Sequence, residues 1–119
     1  MLDIKLYEGQ FLRLGAKLAM EHNLFVPGWR LRLEFMRIMN GDEDPCYRIA
    51  LGFIGDEAVA VVLLTSQPMA FVKAAHRRKG YGSALIKALG KIETQYKPEE
   101  GMIGSIKFWE SNGLEVRQW

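Results

Sequence analysis

Seven consecutive apolar residues, Ala58-Val59-Ala60-Val61-Val62-Leu63-Leu64, constrain the fold of this chain more than any other feature. A short run rich in valine and bounded by turn residues reads as a strand. Gly55-Asp56 stands before it and Thr65-Ser66-Gln67-Pro68 after it. A strand from Glu57 to Leu64 with no polar face must be covered on both sides, so it is central and helices flank it in two layers.

The neighbouring segments complete a meander. Cys46 to Ile54 is strand-like and joins the central strand through the Gly55-Asp56 hairpin turn. Met69 to Ala74 is the next strand. Upstream, Leu2 to Tyr7 alternates Leu2, Ile4 and Leu6 with Asp3, Lys5 and Tyr7, the period of a half-buried strand. A helix follows over about Glu8 to Glu21, with Phe11, Leu14 and Leu18 on its apolar face and Leu12 and Ala19 widening it. Asn23 to Gly28 breaks it. Arg30 to Met39 is a second helix, with Leu31, Phe35 and Ile38 inward and Met36 and Met39 beside them. Gly80 to about Gln95 is a third, its stripe formed by Tyr81, Ala84, Leu85, Ala88, Leu89 and Ile92. Met102-Ile103 is a very short strand, Ser105 to Ser111 a short helix and Leu114 to Trp119 a last strand. The order β-α-α-β-β-β-α-(β)-α-β is α+β, a mainly antiparallel sheet flanked by helices, in a single domain over residues 1–119.

Composition excludes several function classes. The formal charge of +2 is too small for wholesale nucleic-acid binding, and the aromatics do not interleave with the cations as a stacking platform requires. The lone Cys46 rules out an internal disulfide and any cysteine metal cluster. His22 and His76 match no zinc spacing, so no metal is expected. No apolar run is long enough for a bilayer and the N-terminus lacks a signal-peptide core, so a cytoplasmic, non-membrane protein is expected.

The chemistry gathers at Arg77-Arg78-Lys79-Gly80-Tyr81-Gly82-Ser83, between a strand and a helix. The first N–H groups of a helix lack partners and its dipole is positive there, which suits an anion. Gly80 and Gly82 let a phosphate approach the backbone. Arg77, Arg78, Lys79 and nearby Lys73 add positive potential, and Ser83 adds a hydroxyl. The spacing is not that of a P-loop. The dinucleotide fingerprint fails too, because Leu85 replaces its third glycine and the preceding sheet is antiparallel.

Val72-Lys73-Ala74-Ala75-His76-Arg77-Arg78-Lys79-Gly80-Tyr81-Gly82-Ser83-Ala84-Leu85 resembles the coenzyme A motif of the GCN5-related N-acetyltransferase (GNAT) family, Arg/Gln-x-x-Gly-x-Gly/Ala. Phe108-Trp109-Glu110-Ser111-Asn112-Gly113-Leu114 resembles its second motif, and the element order is similar across nearly the whole chain. The resemblance implies an acetyl-CoA-dependent N-acetyltransferase that passes acetyl directly to a primary amine, on a small molecule, a lysine or an N-terminus. It implies that backbone groups around Val72 and Ala74 pair with the pantetheine arm. Arg77 takes the motif's Arg/Gln position, and the N–H groups of Arg78, Lys79, Gly80, Tyr81, Gly82 and Ser83 hold the pyrophosphate. Strands in this fold often pair across two chains, so a homodimer using Trp119 is a further expectation.

The acceptor amine must lose a proton, which for a lysine-like amine costs about 4–5 kcal/mol at neutral pH. Glu57 is the first candidate base, with Glu34 and His22 behind it. The tyrosine that the family often sets near the departing sulfur is Trp109 here, whose indole N–H donates but does not titrate. Ser105 or Ser111 is left to assist the leaving thiolate. The family's asparagine before that helix is missing, with Met102 near its place, and the fifth strand is short. These departures keep an alternative open, a catalytically reduced acetyl-CoA-binding sensor or interaction module. The acidic loop Asp42-Glu43-Asp44 is expected to attract a cationic amine.

Overall fold

In the computed structural model of the chain, residues 1–25, 30–42, 45–65 and 68–90 are described. They form strands β1 (Asp3–Glu8), β2 (Arg48–Ile54), β3 (Glu57–Leu64) and β4 (Pro68–Val72), and helices α1 (Leu12–Glu21), α2 (Arg30–Met39) and α3 (Tyr81–Leu89). The four strands make one sheet in the order β1-β2-β3-β4, antiparallel at every pairing. The expected order of elements is met through α3, and β3 and α2 have the expected limits. The strands and helix expected after Gln95 lie outside the described residues.

β3 is the centre. Every residue from Ala58 to Leu64 is buried. Ala58, Val61 and Leu63 face the layer of α1 and α2, in a core with Leu12, Ala16, Phe35, Ile38, Ile49 and Leu51. Val59, Ala60, Val62 and Leu64 face Leu85, Ile86 and Leu89 of α3. Val59 and Ala60 share a face because the β2–β3 register shifts between Gly52 and Phe53, leaving Val59 as the extra residue of a bulge. Two cores, one on each side of a seven-residue apolar run, are what that run demanded.

Several boundaries and one helix face differ from expectation: the ends of β1 and the start of β4 shift by one residue, and β2 begins at Arg48, not Cys46. Gly9–Phe11 is a turn of 3-10 helix, so α1 begins later. β4 ends at Val72, not Ala74, because Ala74–His76 tightens into another 3-10 turn. α3 ends at Leu89, where Gly90 takes φ 79° and ψ −145°, a conformation open only to glycine; the rest of the expected helix, residues 91–95, lies outside the described residues. The buried face of α1 is Leu12, Gly15, Ala16 and Ala19, whereas Phe11 and Leu14 are 55% and 46% exposed. The cause is close approach: a Cβ on Gly15 would lie 2.7 Å from the Cβ of Tyr7. At Gly15 only a residue without a side chain fits between helix and β1. Met36 and Met39 of α2 are likewise exposed, and Glu34 takes an inward position.

Candidate functional site

β4 is the last strand in the sheet order, so its outer edge has no strand neighbour among the described residues. Pairing parity fixes what that edge offers. Val72 stands opposite Ala60, and the Lys73 N–H donates to the Val59 carbonyl at 2.9 Å. Lys73 therefore points its backbone at β3, while Val72 and, two residues back, Ala70 point theirs outward. This edge runs directly into the basic turn.

The turn is built by left-handed residues. Gly80, the residue before α3, has φ 75° and ψ 15°, and Arg78 has φ 64°. A non-glycine residue at positive φ carries strain of about 1–2 kcal/mol. Among the described residues, no backbone carbonyl accepts from the N–H groups of Arg78, Lys79 or Gly80. The first N–H groups of α3 add to them, because the first hydrogen bond into the helix runs from Ala84 to the Gly80 carbonyl at 3.0 Å. Nothing lies within 4 Å of a Cβ built on Gly80, so the approach is open. Gly82 is buried, and Tyr81 and Ser83 are half-buried. The structure thus brings Arg77 through Ser83 together as one stretch of backbone donors at the start of a helix.

Charge at the turn is distributed differently from expectation. Arg77, Arg78 and Lys79 are exposed and pair with no carboxylate among the described residues. Lys73 does not add to their field, because its Nζ lies 2.9 Å from Glu57 Oε1. Arg77 instead turns back: its Nε donates to the Val72 carbonyl at 2.9 Å, with the guanidinium 5.8 Å from the centre of the Phe71 ring. Ala74, expected beside the pantetheine arm, sits exposed in the 3-10 turn, and its carbonyl accepts from the Arg77 N–H at 3.4 Å. His76 stacks on Tyr81 at 6.2 Å, and its Nδ1 is buried with no hydrogen-bond partner among the described residues.

Each of the three candidate bases is engaged. The hydrogen bond and charge of Lys73 hold the Glu57 carboxyl below its ordinary 4.5, with His76 and His22 adding to the effect. Lowering its pKa makes Glu57 a still weaker base toward an amine of pKa near 10.4. His22 Nδ1 accepts the Ala58 N–H at 3.2 Å, so that lone pair is used. Glu34 is 5% exposed on α2, with Arg30 Nε and Arg37 Nη1 at 3.4 and 3.5 Å from its Oε1. In the acidic loop, Asp42 is paired to Arg37 at 2.9 Å, which offsets part of the expected negative field. Glu43, Asp44, Ser105 and Trp109 lie outside the described residues.

Sequence reasoning found the turn from its glycines and missed its internal contacts. The Arg77–Val72 and Lys73–Glu57 bonds depend on where β4 ends and how it registers on β3. No local pattern carries that information.

No protein-family model matches the sequence, and no curated protein matches it. Solved structures do match in three dimensions. One is a ribosomal-protein-alanine N-acetyltransferase from Brucella melitensis, at TM-score 0.61 and 17% identity, covering 100% of this chain and 95% of that one. A second is the aminoglycoside N-acetyltransferase AAC(6')-Iy in complex with CoA, at TM-score 0.61 and 17% identity, covering 100% of this chain and 91% of that one. A third is the ribosomal-protein-S18-alanine N-acetyltransferase from Escherichia coli, at TM-score 0.61 and 17% identity, covering 95% of this chain and 77% of that one.

Proposed function

For a chain that has the GNAT fold, as its likeness to these acetyltransferase structures shows, we propose acetyl-CoA-dependent transfer of an acetyl group to a primary amine. One observation carries the reading: among the described residues, the outward-facing Val72 position lies on an edge of β4 with no strand neighbour and leads into a turn where the N–H groups of Arg78, Lys79 and Gly80 have no backbone partner. An extended amide-bearing arm pairs with the edge as an added strand would. The phosphates that follow it meet the N–H groups of Arg78 through Ser83 and the charges of Arg77, Arg78 and Lys79. That order of features, edge then anion cradle, fits the order of groups in coenzyme A.

The acetyl group passes from sulfur to nitrogen in one step. The neutral amine attacks the thioester carbon, the C–S bond breaks, the thiolate leaves with the electron pair, and the proton that the new amide nitrogen sheds passes to that thiolate, directly or through solvent. A thiol titrates near 8.5, so the thiolate departs without full protonation. Because Glu57, Glu34 and His22 are all engaged, none is assigned as the base that removes the amine proton. The acceptor is an amine on a small molecule, a lysine or an N-terminus. The aminoglycoside and ribosomal-protein enzymes that share the fold span the small-molecule and protein ends of that range.

Calorimetry with acetyl-CoA tests the donor. Binding at sub-millimolar concentration is expected, together with its loss when a bulky side chain replaces Gly82. A thiol-release assay across polyamines, amino sugars, amino acids and peptides then tests the chemistry. Thiol released in step with one amine supports the enzyme; binding without release against any amine would instead favour the sensor.

A further inference from the structure

We infer that Arg77 is a latch on the outer edge of β4, and that it opens to a thioester only when the thioester carries phosphates. The inference rests on the acetyl-CoA reading and adds to it a control on the same site. Val72 is the last residue of β4 and its carbonyl points away from β3, as the Lys73–Val59 hydrogen bond requires. An incoming arm that pairs with the end of the strand nearest the turn uses this carbonyl. Arg77 Nε already donates to it at 2.9 Å, and the guanidinium is set against the Phe71 ring of the same strand. The side chain stands where the first amide of an added strand would stand.

Arg77 also stands at the head of the anion cradle, one residue before left-handed Arg78. A phosphate at the N–H groups of Arg78 to Ser83 offers the guanidinium a charged acceptor in place of a neutral carbonyl. Both bonds use the charged guanidinium, but a phosphate adds an opposite charge and a bidentate geometry that a neutral carbonyl lacks, so the phosphate draws Arg77 off Val72. The edge then opens to the arm. Phosphate and arm are coupled through one side chain with two alternative partners, and the coupling must be reciprocal. An unphosphorylated thioester has to displace the latch unaided.

The test uses S-acetylpantetheine, which has the arm without the nucleotide, beside acetyl-CoA, with dissociation constants from calorimetry on the full chain. Arg77→Ala is expected to tighten S-acetylpantetheine by about two- to tenfold, the equivalent of one hydrogen bond, and to weaken acetyl-CoA. Inorganic pyrophosphate is expected to tighten S-acetylpantetheine in the wild type and to have no effect in Arg77→Ala. Weakening of both thioesters by Arg77→Ala overturns the latch. So does a wild-type affinity for S-acetylpantetheine that pyrophosphate leaves unchanged, a measurement that needs no variant to fold. If acetyl-CoA itself does not bind the wild type, the acetyl-CoA reading falls and the latch with it. If acetyl-CoA binds and the signs do not cross, only the latch falls.

Discussion

A single missing side chain decides how α1 meets the sheet. Alanine in place of a helical glycine ordinarily gains about 0.5–1 kcal/mol. At Gly15 the added Cβ would sit 2.7 and 2.8 Å from Cβ and Cγ of Tyr7, atoms close to the backbone that cannot swing aside. Overpacking of this kind costs about 1–3 kcal/mol, so the clash wins. Gly15→Ala is expected to lower the urea midpoint. A second residue-scale prediction concerns Lys73 and Glu57. The Glu57 carboxyl titrates below its ordinary 4.5 because Lys73 bonds and attracts its charged form. A depressed folded-state pKa contributes stability that is present above the unfolded value and lost as pH falls through the folded one. Lys73→Met is therefore expected to be less stable than wild type at pH 7, with the gap between their urea midpoints closing as pH drops below 4.5.

At the scale of elements, Arg48 links three of them. From the first position of β2 its Nε meets Glu8 Oε2 of β1 at 2.9 Å, and its Nη1 donates to the Leu89 carbonyl of α3 at 2.8 Å. A cation at a helix C-terminus satisfies a carbonyl that the helix leaves open. Glu8 is more than half exposed, so salt screens the ion pair, while the bond to Leu89 persists. Arg48→Met is expected to cost about 1–2 kcal/mol, mostly insensitive to salt, and to speed amide exchange in the last turn of α3 more than in β3. Much at this scale was legible in the sequence. The limits of β3 and α2 follow from an uninterrupted apolar run and a clear helical stripe, each closed by turn residues. The face of α1 was misread because hydrophobic periodicity weights Phe11 and Leu14 above Gly15 and Ala16, whereas a helix lying close to a strand buries its smallest residues. The end of α3 was misread because the stripe continues past Gly90 to Ile92, and periodicity does not register a backbone conformation. The basic turn was found through its glycine spacing. The contacts that Arg77 and Lys73 make are absent from any local pattern, since they follow from the register of β4 on β3.

The whole molecule is a sheet closed on both faces by helices and, among the described residues, open along the outer edge of β4. Its faces carry the stability and its edge carries the function proposed here. The alternation along β4 separates these roles amide by amide. Phe71 stands opposite Val61 in a hydrogen-bonded pair, and Lys73 N–H donates to Val59, so both amides are already protected by the sheet. The amides of Ala70 and Val72 face outward and exchange without breaking the β3–β4 ladder. An acetyl-CoA arm added to the edge protects the outward set and leaves the inward set as it was. Binding also stabilises the fold globally, by about 2.7 kcal/mol at a hundredfold excess over the dissociation constant, and that slows exchange at buried amides which open only by unfolding. The two effects are distinguishable at low denaturant, where edge amides exchange by local opening. Saturating acetyl-CoA is expected to slow exchange at Val72 by tenfold or more, to slow it at Ala70 if the arm reaches that far, and to change Phe71 only as global stability changes. Equal slowing at Phe71 and Val72 would mean that the ligand acts through overall stability and does not lie along this strand.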